Sequence, residues 1–162
     1  MFKWYGHRSL ASATRISAFA AHLRDGRIMA SRCTRCGTRA FPPRADCDAC
    51  MGGAFEFVEI SGRGHVHTFT TIQAPPRGFE AWAPYRVGVV DLEEGGRVLA
   101  WFGDAFGDGD IAIGMPVQIV PRVLEAPEDL HVVCTIEPPG TTWSKRAARP
   151  GAAAVIEEES TP

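Results

Sequence analysis

Apolar positions along the chain follow two periods, and the change from one to the other falls near residue 55. Between Ser9 and Leu23 the period is helical. Ile16, Phe19, Ala20 and Leu23 stand at i, i+3, i+4 and i+7 and form one apolar stripe. Ser9 or Ser12 can cap the start of this helix and Gly26 can end it. A helix this short is marginal alone, so its stripe must pack against the body of the chain or against a partner subunit.

From Phe55 onward the alternation is that of strands. Phe55–Ile60 alternates partly, and Gly62-Arg63-Gly64 then predicts a bulge or sharp bend. Strands follow at His65–Gln73, Tyr85–Leu92, Arg97–Phe102, Val117–Leu124 and His131–Glu137. Glu93-Glu94-Gly95-Gly96 reads as a hairpin turn, and Ile113-Gly114-Met115-Pro116 as a second turn. Five closely spaced strands without a long helix fit a five-stranded, partly open OB barrel. A sandwich is the competing architecture, but about seven strands would be expected there. The organisation expected is a helical segment over 1–26, a cysteine-bearing ribbon over 27–55, the barrel over 56–138 and a mobile tail over 139–162. The tail loses periodicity after Pro138 and ends in an Ala-rich stretch and three consecutive glutamates.

Charge and composition narrow the classes. Hydrophobic residues make up 45% of the 162, which is a globular rather than a disordered balance. The net charge of −2 argues against a dedicated nucleic-acid binder, for which a basic excess is usual. No apolar run approaches the ~20 residues that span a bilayer. The start is acid-poor and carries arginines and serines, as transit peptides do, but its helical face runs into the ribbon without a composition break. A cytoplasmic protein is the expectation.

The strongest chemical signal is cysteine spacing. Cys33-Thr34-Arg35-Cys36 is followed, after ten intervening residues, by Cys47-Asp48-Ala49-Cys50. Two cysteines spaced by two clasp one metal from a tight turn, and two such pairs complete a tetrahedral thiolate cage. The pattern implies a reducing compartment and a structural Zn²⁺ with no open coordination position. Iron would accept the same four sulfurs, which leaves an electron carrier as an alternative. Gly37 and Gly52 stand where the two turns would need positive φ. Arg32, Arg35, Arg39 and Arg44 surround the cage in sequence, where they can offset its charge or form a basic rim.

Catalytic chemistry is harder to find. Cys134 sits in the apolar stretch Val132-Val133-Cys134-Thr135-Ile136 and reads as packing rather than as a nucleophile. His65 and His67 share a strand face without an evident third metal ligand, and Asp104, Asp108 and Asp110 lack the calcium-loop spacing. No Gly-x-Ser-x-Gly, phosphate loop or dinucleotide fingerprint occurs.

The motifs Leu23-Arg24-Asp25-Gly26-Arg27, Arg32-Cys33-Thr34-Arg35-Cys36-Gly37, Phe41-Pro42-Pro43-Arg44 and Cys47-Asp48-Ala49-Cys50 occur in that order. They continue through Gly62-Arg63-Gly64-His65-Val66, Pro84-Tyr85-Arg86-Val87, Glu94-Gly95-Gly96-Arg97-Val98 and Ile113-Gly114-Met115-Pro116-Val117. Over roughly residues 12–138 the chain resembles the rubredoxin-like zinc-ribbon plus OB-fold proteins of acyl-CoA metabolism. Asp48 stands where proline is common in the family, and the tail after Gly140 has no counterpart. The resemblance implies a small partner subunit of a thiolase-superfamily enzyme, in particular a CoA-dependent thiolase of anaerobic aromatic catabolism; an aldolase or hydratase partner is the alternative. It implies that the partner supplies the catalytic residues and that a coenzyme A ester is the substrate of the complex. Arg35, Arg39 and Arg44 are then candidates to meet CoA phosphates. Phe79 and Trp82, in the loop Pro75–Trp82, are candidates to meet the partner, although a loop folded over its own core reads equally well. A single-strand nucleic-acid module, stacking bases on Phe69, Trp101 and Phe102, is the competing function.

Overall fold

The computed structural model describes residues 15–77, 79–107, 109–125 and 130–142. The expected caps Ser9 and Ser12, the tail beyond Thr142 and Asp108 lie outside the described residues. In chain order the elements are α1 (Ala18–Arg24), β1 (Met29–Cys33), β2 (Arg39–Ala40), β3 (Phe55–Glu59) and β4 (Arg63–Ile72). A 3₁₀ turn at Glu80–Trp82 precedes β5 (Tyr85–Leu92), β6 (Arg97–Phe102), β7 (Pro116–Glu125) and β8 (Leu130–Glu137).

The last five strands close a barrel in the order β4-β5-β6-β8-β7, as the strand pattern predicts for an OB-fold. All pairs are antiparallel except β6 with β8, and β4 closes the ring against β7 through Arg63–Gln118, Gly64–Val117 and His65–Pro116. Alternation sets the inner face. Gly88, Val90 and Leu92 of β5 and Val98, Ala100 and Phe102 of β6 are buried while their neighbours are more exposed. Gly88 is required by packing, because a Cβ there would stand 2.6 Å from the Phe102 ring. The chain enters β4 through Gly62 at φ 73°, the bend read from the glycines. The bulge itself lies further on, where the register with β5 shifts between Val66 and Thr68.

β3 does not belong to the barrel. It pairs antiparallel with β1 from Met29–Glu59 to Cys33–Phe55, giving a three-stranded sheet β2-β1-β3 around the cysteine turns. Period alone could not separate it from the strands that follow. Helix α1 ends at Gly26, φ 78°, and buries Phe19, Ala20 and Leu23 against β7, β8 and β1. Phe19 meets Phe41 edge-on at 6.0 Å. The stripe left open between body and partner is thus covered by the chain itself. Phe19, Leu23, Ile28, Met29, Phe41 and Ile60 join Val66, Val117 and Ile119 in one apolar cluster, so helix, ribbon and barrel share a core.

Candidate functional site

Two near-equivalent turns carry the cysteines. In the first, Gly37 N–H donates to Cys33 C=O and Cys33 N–H to Thr38 C=O, both at 2.9 Å. In the second, Met51 N–H donates to Cys47 C=O and Cys47 N–H to Gly52 C=O, again at 2.9 Å. The positive-φ residue of the first turn is Gly37 (77°), as spacing predicts; that of the second is Met51 (56°), not Gly52. Glycine at 52 answers a different need, since a Cβ there would press to 3.2 Å on Cys50 Sγ. The exposed Met51 tolerates the left-handed conformation at a cost on the order of 1 kcal/mol.

The turns bring Cys33, Cys36, Cys47 and Cys50 together, with all four sulfurs within 4.8 Å of one another. Cys33 Sγ lies 3.6 Å from Cys50 Sγ, and Cys36 Sγ lies 3.5 Å from Cys47 Sγ. A disulfide would need about 2.05 Å. Four sulfurs at a Zn–S distance of about 2.3 Å form a tetrahedron with edges of about 3.8 Å, so this donor set has the size and chemistry that zinc takes. Hydrogen bonding between Cys36 and Thr38, through the Thr38 hydroxyl 3.2 Å from Cys36 Sγ and through the Thr38 backbone, brings the Cys36 thiol down to about 6. The Gly52 amide pulls Cys50 in the same direction, but its hydrogen bond with Cys36 and desolvation push it up to about 12. A divalent ion held by four sulfurs supplies the positive charge that favours thiolate ligands.

The surrounding arginines are largely engaged. Arg15 donates to Gly53 C=O, to Ala45 C=O at 3.0 Å and to Asp46 at 2.8 Å, which lashes the approach to α1 onto the second turn. Arg44 pairs with Asp48, and Arg32 pairs with Glu56 at 2.6 Å. Arg35 reaches only the Cys50 carbonyl, at 3.5 Å, and Arg39 is exposed with no ion pair among the described residues.

On the barrel, Phe79 and Trp82 fold back over the outer face of β5 and β6. Ring centroids separate Trp82 from Trp101 by 4.9 Å, Phe79 from Trp82 by 5.1 Å and Tyr85 from Trp101 by 5.5 Å. All four rings are half-buried, and Leu99 beside them is 69% exposed. Loop and barrel thus make one aromatic face, with the loop folded over its own barrel as one of its two readings expects. Phe102 points into the barrel against Phe69 and Phe106, so Phe69, Trp101 and Phe102 do not form the exposed stack that a nucleic-acid reading needs.

Two arrangements escape sequence reading. His67, the residue at the bulge, meets Asp91 through Nδ1 at 2.8 Å, and Arg97 holds the other carboxylate oxygen; Arg97 and His67 hold the Asp91 carboxyl below its usual range. Arg122 and Glu137 form a buried ion pair at 3.0 Å, with the Thr135 hydroxyl donating to the same carboxylate oxygen at 2.7 Å. A bulge and a cross-strand pairing bring these residues together, and neither is visible in local pattern.

Comparison with known proteins fits this geometry. Residues 20–56 match the family model of the ChsH2 rubredoxin-like zinc ribbon domain, and residues 57–122 that of the ChsH2 C-terminal OB-fold domain. A DUF35 domain-containing scaffold protein of Methanocaldococcus jannaschii is 36% identical over 107 residues, covering 65% of this chain and 75% of the relative. The scaffold protein of Pyrococcus furiosus is 37% identical and is covered over 84% of its length. The chain belongs to the DUF35 family. The benzoylsuccinyl-CoA thiolase subunit BbsA of Thauera aromatica is 35% identical over 79 residues, covering 47% of this chain and 54% of that subunit. Among solved structures, the Ltp2-ChsH2(DUF35) aldolase matches with a TM-score of 0.64 at 30% identity, over 80% of this chain and 98% of that one. Among the described residues no helix is long and apolar enough to cross a membrane.

Proposed function

We propose that this chain is the non-catalytic zinc-ribbon/OB-fold subunit of a heteromeric thiolase-superfamily enzyme acting on acyl-CoA esters. In this reading Cys33, Cys36, Cys47 and Cys50 hold one structural Zn²⁺, which fixes the ribbon and supplies no chemistry because its four positions are filled. Membership of a family whose relatives bear the names of scaffold proteins, a thiolase subunit and an aldolase complex supports it. The observation that carries it is the aromatic face of Phe79, Trp82, Tyr85 and Trp101, half-buried and joined to the exposed Leu99. Aromatic anchors of this kind dominate protein interfaces. Cys134 fits a partner-supplied nucleophile, since burial pushes its thiol up to about 12, the wrong direction for attack at neutral pH. The finer form of the proposal is (S)-benzoylsuccinyl-CoA thiolysis in anaerobic toluene breakdown. Arg35 and Arg39 are the cations best placed to meet CoA phosphates, while Arg44 already pairs with Asp48.

Co-expression with a candidate thiolase-like partner tests the proposal by size-exclusion chromatography and an acyl-CoA thiolysis assay. The two chains are expected to co-elute, and this chain alone to cleave no acyl-CoA. Trp82→Ala is expected to weaken the complex about 30-fold or more, the loss of a central aromatic anchor. Separate elution together with full activity of the thiolase-like chain alone would sink the subunit reading.

A further inference from the structure

Ribbon and barrel are joined by the three residues Ile60-Ser61-Gly62, between the end of β3 and the start of β4. Each module holds its own end of this joint. Ile60 N–H donates to Ile28 C=O on the ribbon side at 3.0 Å, and Ile119 N–H of the barrel donates to Gly62 C=O at 2.8 Å. Ser61, between them, is held by neither. Its N–H donates at 2.6 Å to Glu94 Oε1, in the hairpin turn between β5 and β6. A backbone amide on a carboxylate at this distance is a charge-assisted hydrogen bond, stronger than a neutral one.

The same turn reaches the ribbon at its other end. A Cβ at Gly96 would stand 2.9 Å from the Phe41 carbonyl oxygen, so only glycine allows the approach. Further contacts brace the turn on the barrel. Glu93 N–H donates to Arg63 C=O at 2.9 Å, the Arg63 side chain pairs with Glu93 at 3.1 Å, and Arg63 N–H donates to Ser61 Oγ at 3.1 Å. Glu94 Oε2 is buried without a hydrogen-bond partner among the described residues. A buried carboxylate oxygen left unpaired costs free energy, so the side chain is kept in place by what its other oxygen does. Burial pushes the Glu94 carboxyl up, but hydrogen bonding with Ser61 and the nearby Arg63 outweigh it and hold the group below its usual range.

Apolar packing alone leaves the angle of the ribbon loose. Ile28, Met29 and Phe41 share a cluster with Val66 and Val117, but apolar contact is non-directional. The angle has a consequence, because Phe41 and Pro42 form one wall of a cleft of about 260 Å³ that faces Val98, Leu99 and Trp101 of β6. Val98 follows Gly96 by two residues, so turn and facing wall belong to one hairpin.

We propose that Glu94 is a positioning residue, which clamps the ribbon at one angle to the barrel through the Ser61 amide and thereby sets the width of this cleft. The role belongs to the chain itself and holds whether or not a thiolase-type partner binds.

NMR on the full-length, zinc-loaded chain tests it. In the wild type, residual dipolar couplings of ribbon and barrel amides are expected to fit one alignment tensor. In Glu94→Leu the ribbon couplings should shrink or require a tensor of their own, and exchange of the Ser61 amide should quicken about tenfold or more. Glu94→Ala, which adds no apolar surface to the turn, should do the same. Zinc content and the chemical shifts remote from the joint should stay as in the wild type, which separates lost position from lost fold. Glu94→Gln keeps an acceptor for Ser61 and should restore the single tensor. Glu93→Gln, a loss of charge one residue away, should leave it intact. A single tensor with unchanged Ser61 exchange in Glu94→Leu and Glu94→Ala overturns the proposal, and so does a Glu94→Gln chain as loose as either.

Discussion

Cys33→Ser is expected to release the metal and unfold the ribbon, the largest effect of any single substitution in this chain. Cys33 is the most buried of the four ligand candidates, 5% exposed, and its sulfur faces Cys50 across 3.6 Å. Structural zinc contributes an apparent ~10–16 kcal/mol in zinc-finger peptides, comparable with the ~5–15 kcal/mol total stability of an ordinary domain. The ribbon's own strands cannot make up that loss, for β2 is two residues long and β1 pairs with it only at Ser31–Ala40 and Arg32–Arg39. The damage should spread. Ile28, Met29 and Phe41 belong to the same apolar cluster as the barrel's Val66, Val117 and Ile119, so a melted ribbon strips a wall from the barrel. The expected result is about one zinc per wild-type chain by elemental analysis and almost none in the variant. Loss of cooperative thermal unfolding and increased binding of an apolar dye should accompany it. Chelators should reproduce the variant, and acid should release the metal as protons compete for the thiolates. A metal-free chain that unfolds cooperatively, or a red protein carrying iron, would defeat the zinc assignment.

How much of this was legible beforehand depends on the range of the interaction. The five barrel strands follow from alternation between turn residues, and all five close the barrel. The thiol cluster follows from spacing, because each Cys-x-x-Cys turn is closed locally by its own backbone hydrogen bonds. What escaped is long-range. Phe55–Glu59 alternates like a barrel strand, yet its partner is β1, more than twenty residues back. Gly52 resembles Gly37 in sequence but yields its turn position to Met51 and serves the sulfurs by lacking a Cβ. The Pro75–Trp82 loop could be read as exposed or folded back, and only the outward Trp101 of β6 settles where its rings lie.

Arg122 and Glu137 were the least legible of all, and Glu137→Leu carries the second large expected effect. Charged residues at these strand positions read as solvent-facing, but Arg122 is 7% and Glu137 6% exposed. They stand on neighbouring strands β7 and β8, offset along the ladder, and the carboxylate also accepts from Thr135 at 2.7 Å. A Cβ at Gly103 would collide with the same carboxylate, so the backbone leaving β6 is shaped around it. Removing one member leaves the other buried without a counter-charge, a loss of about 3–5 kcal/mol against the ~5–15 kcal/mol total of an ordinary domain. Denaturant unfolding of Glu137→Leu should show this loss, with a melting point lower by on the order of 10 °C. Glu137→Gln keeps an acceptor for Thr135 and Arg122 and should lose less. The decisive comparison is the double variant Arg122→Met/Glu137→Leu, which removes both charges together. It should recover much of the stability, because the single-variant loss measures a stranded guanidinium rather than the net value of the pair. A double variant no more stable than Glu137→Leu alone would mean that the loss comes from the cavity and the missing hydrogen bonds, and that the charge pairing contributes little.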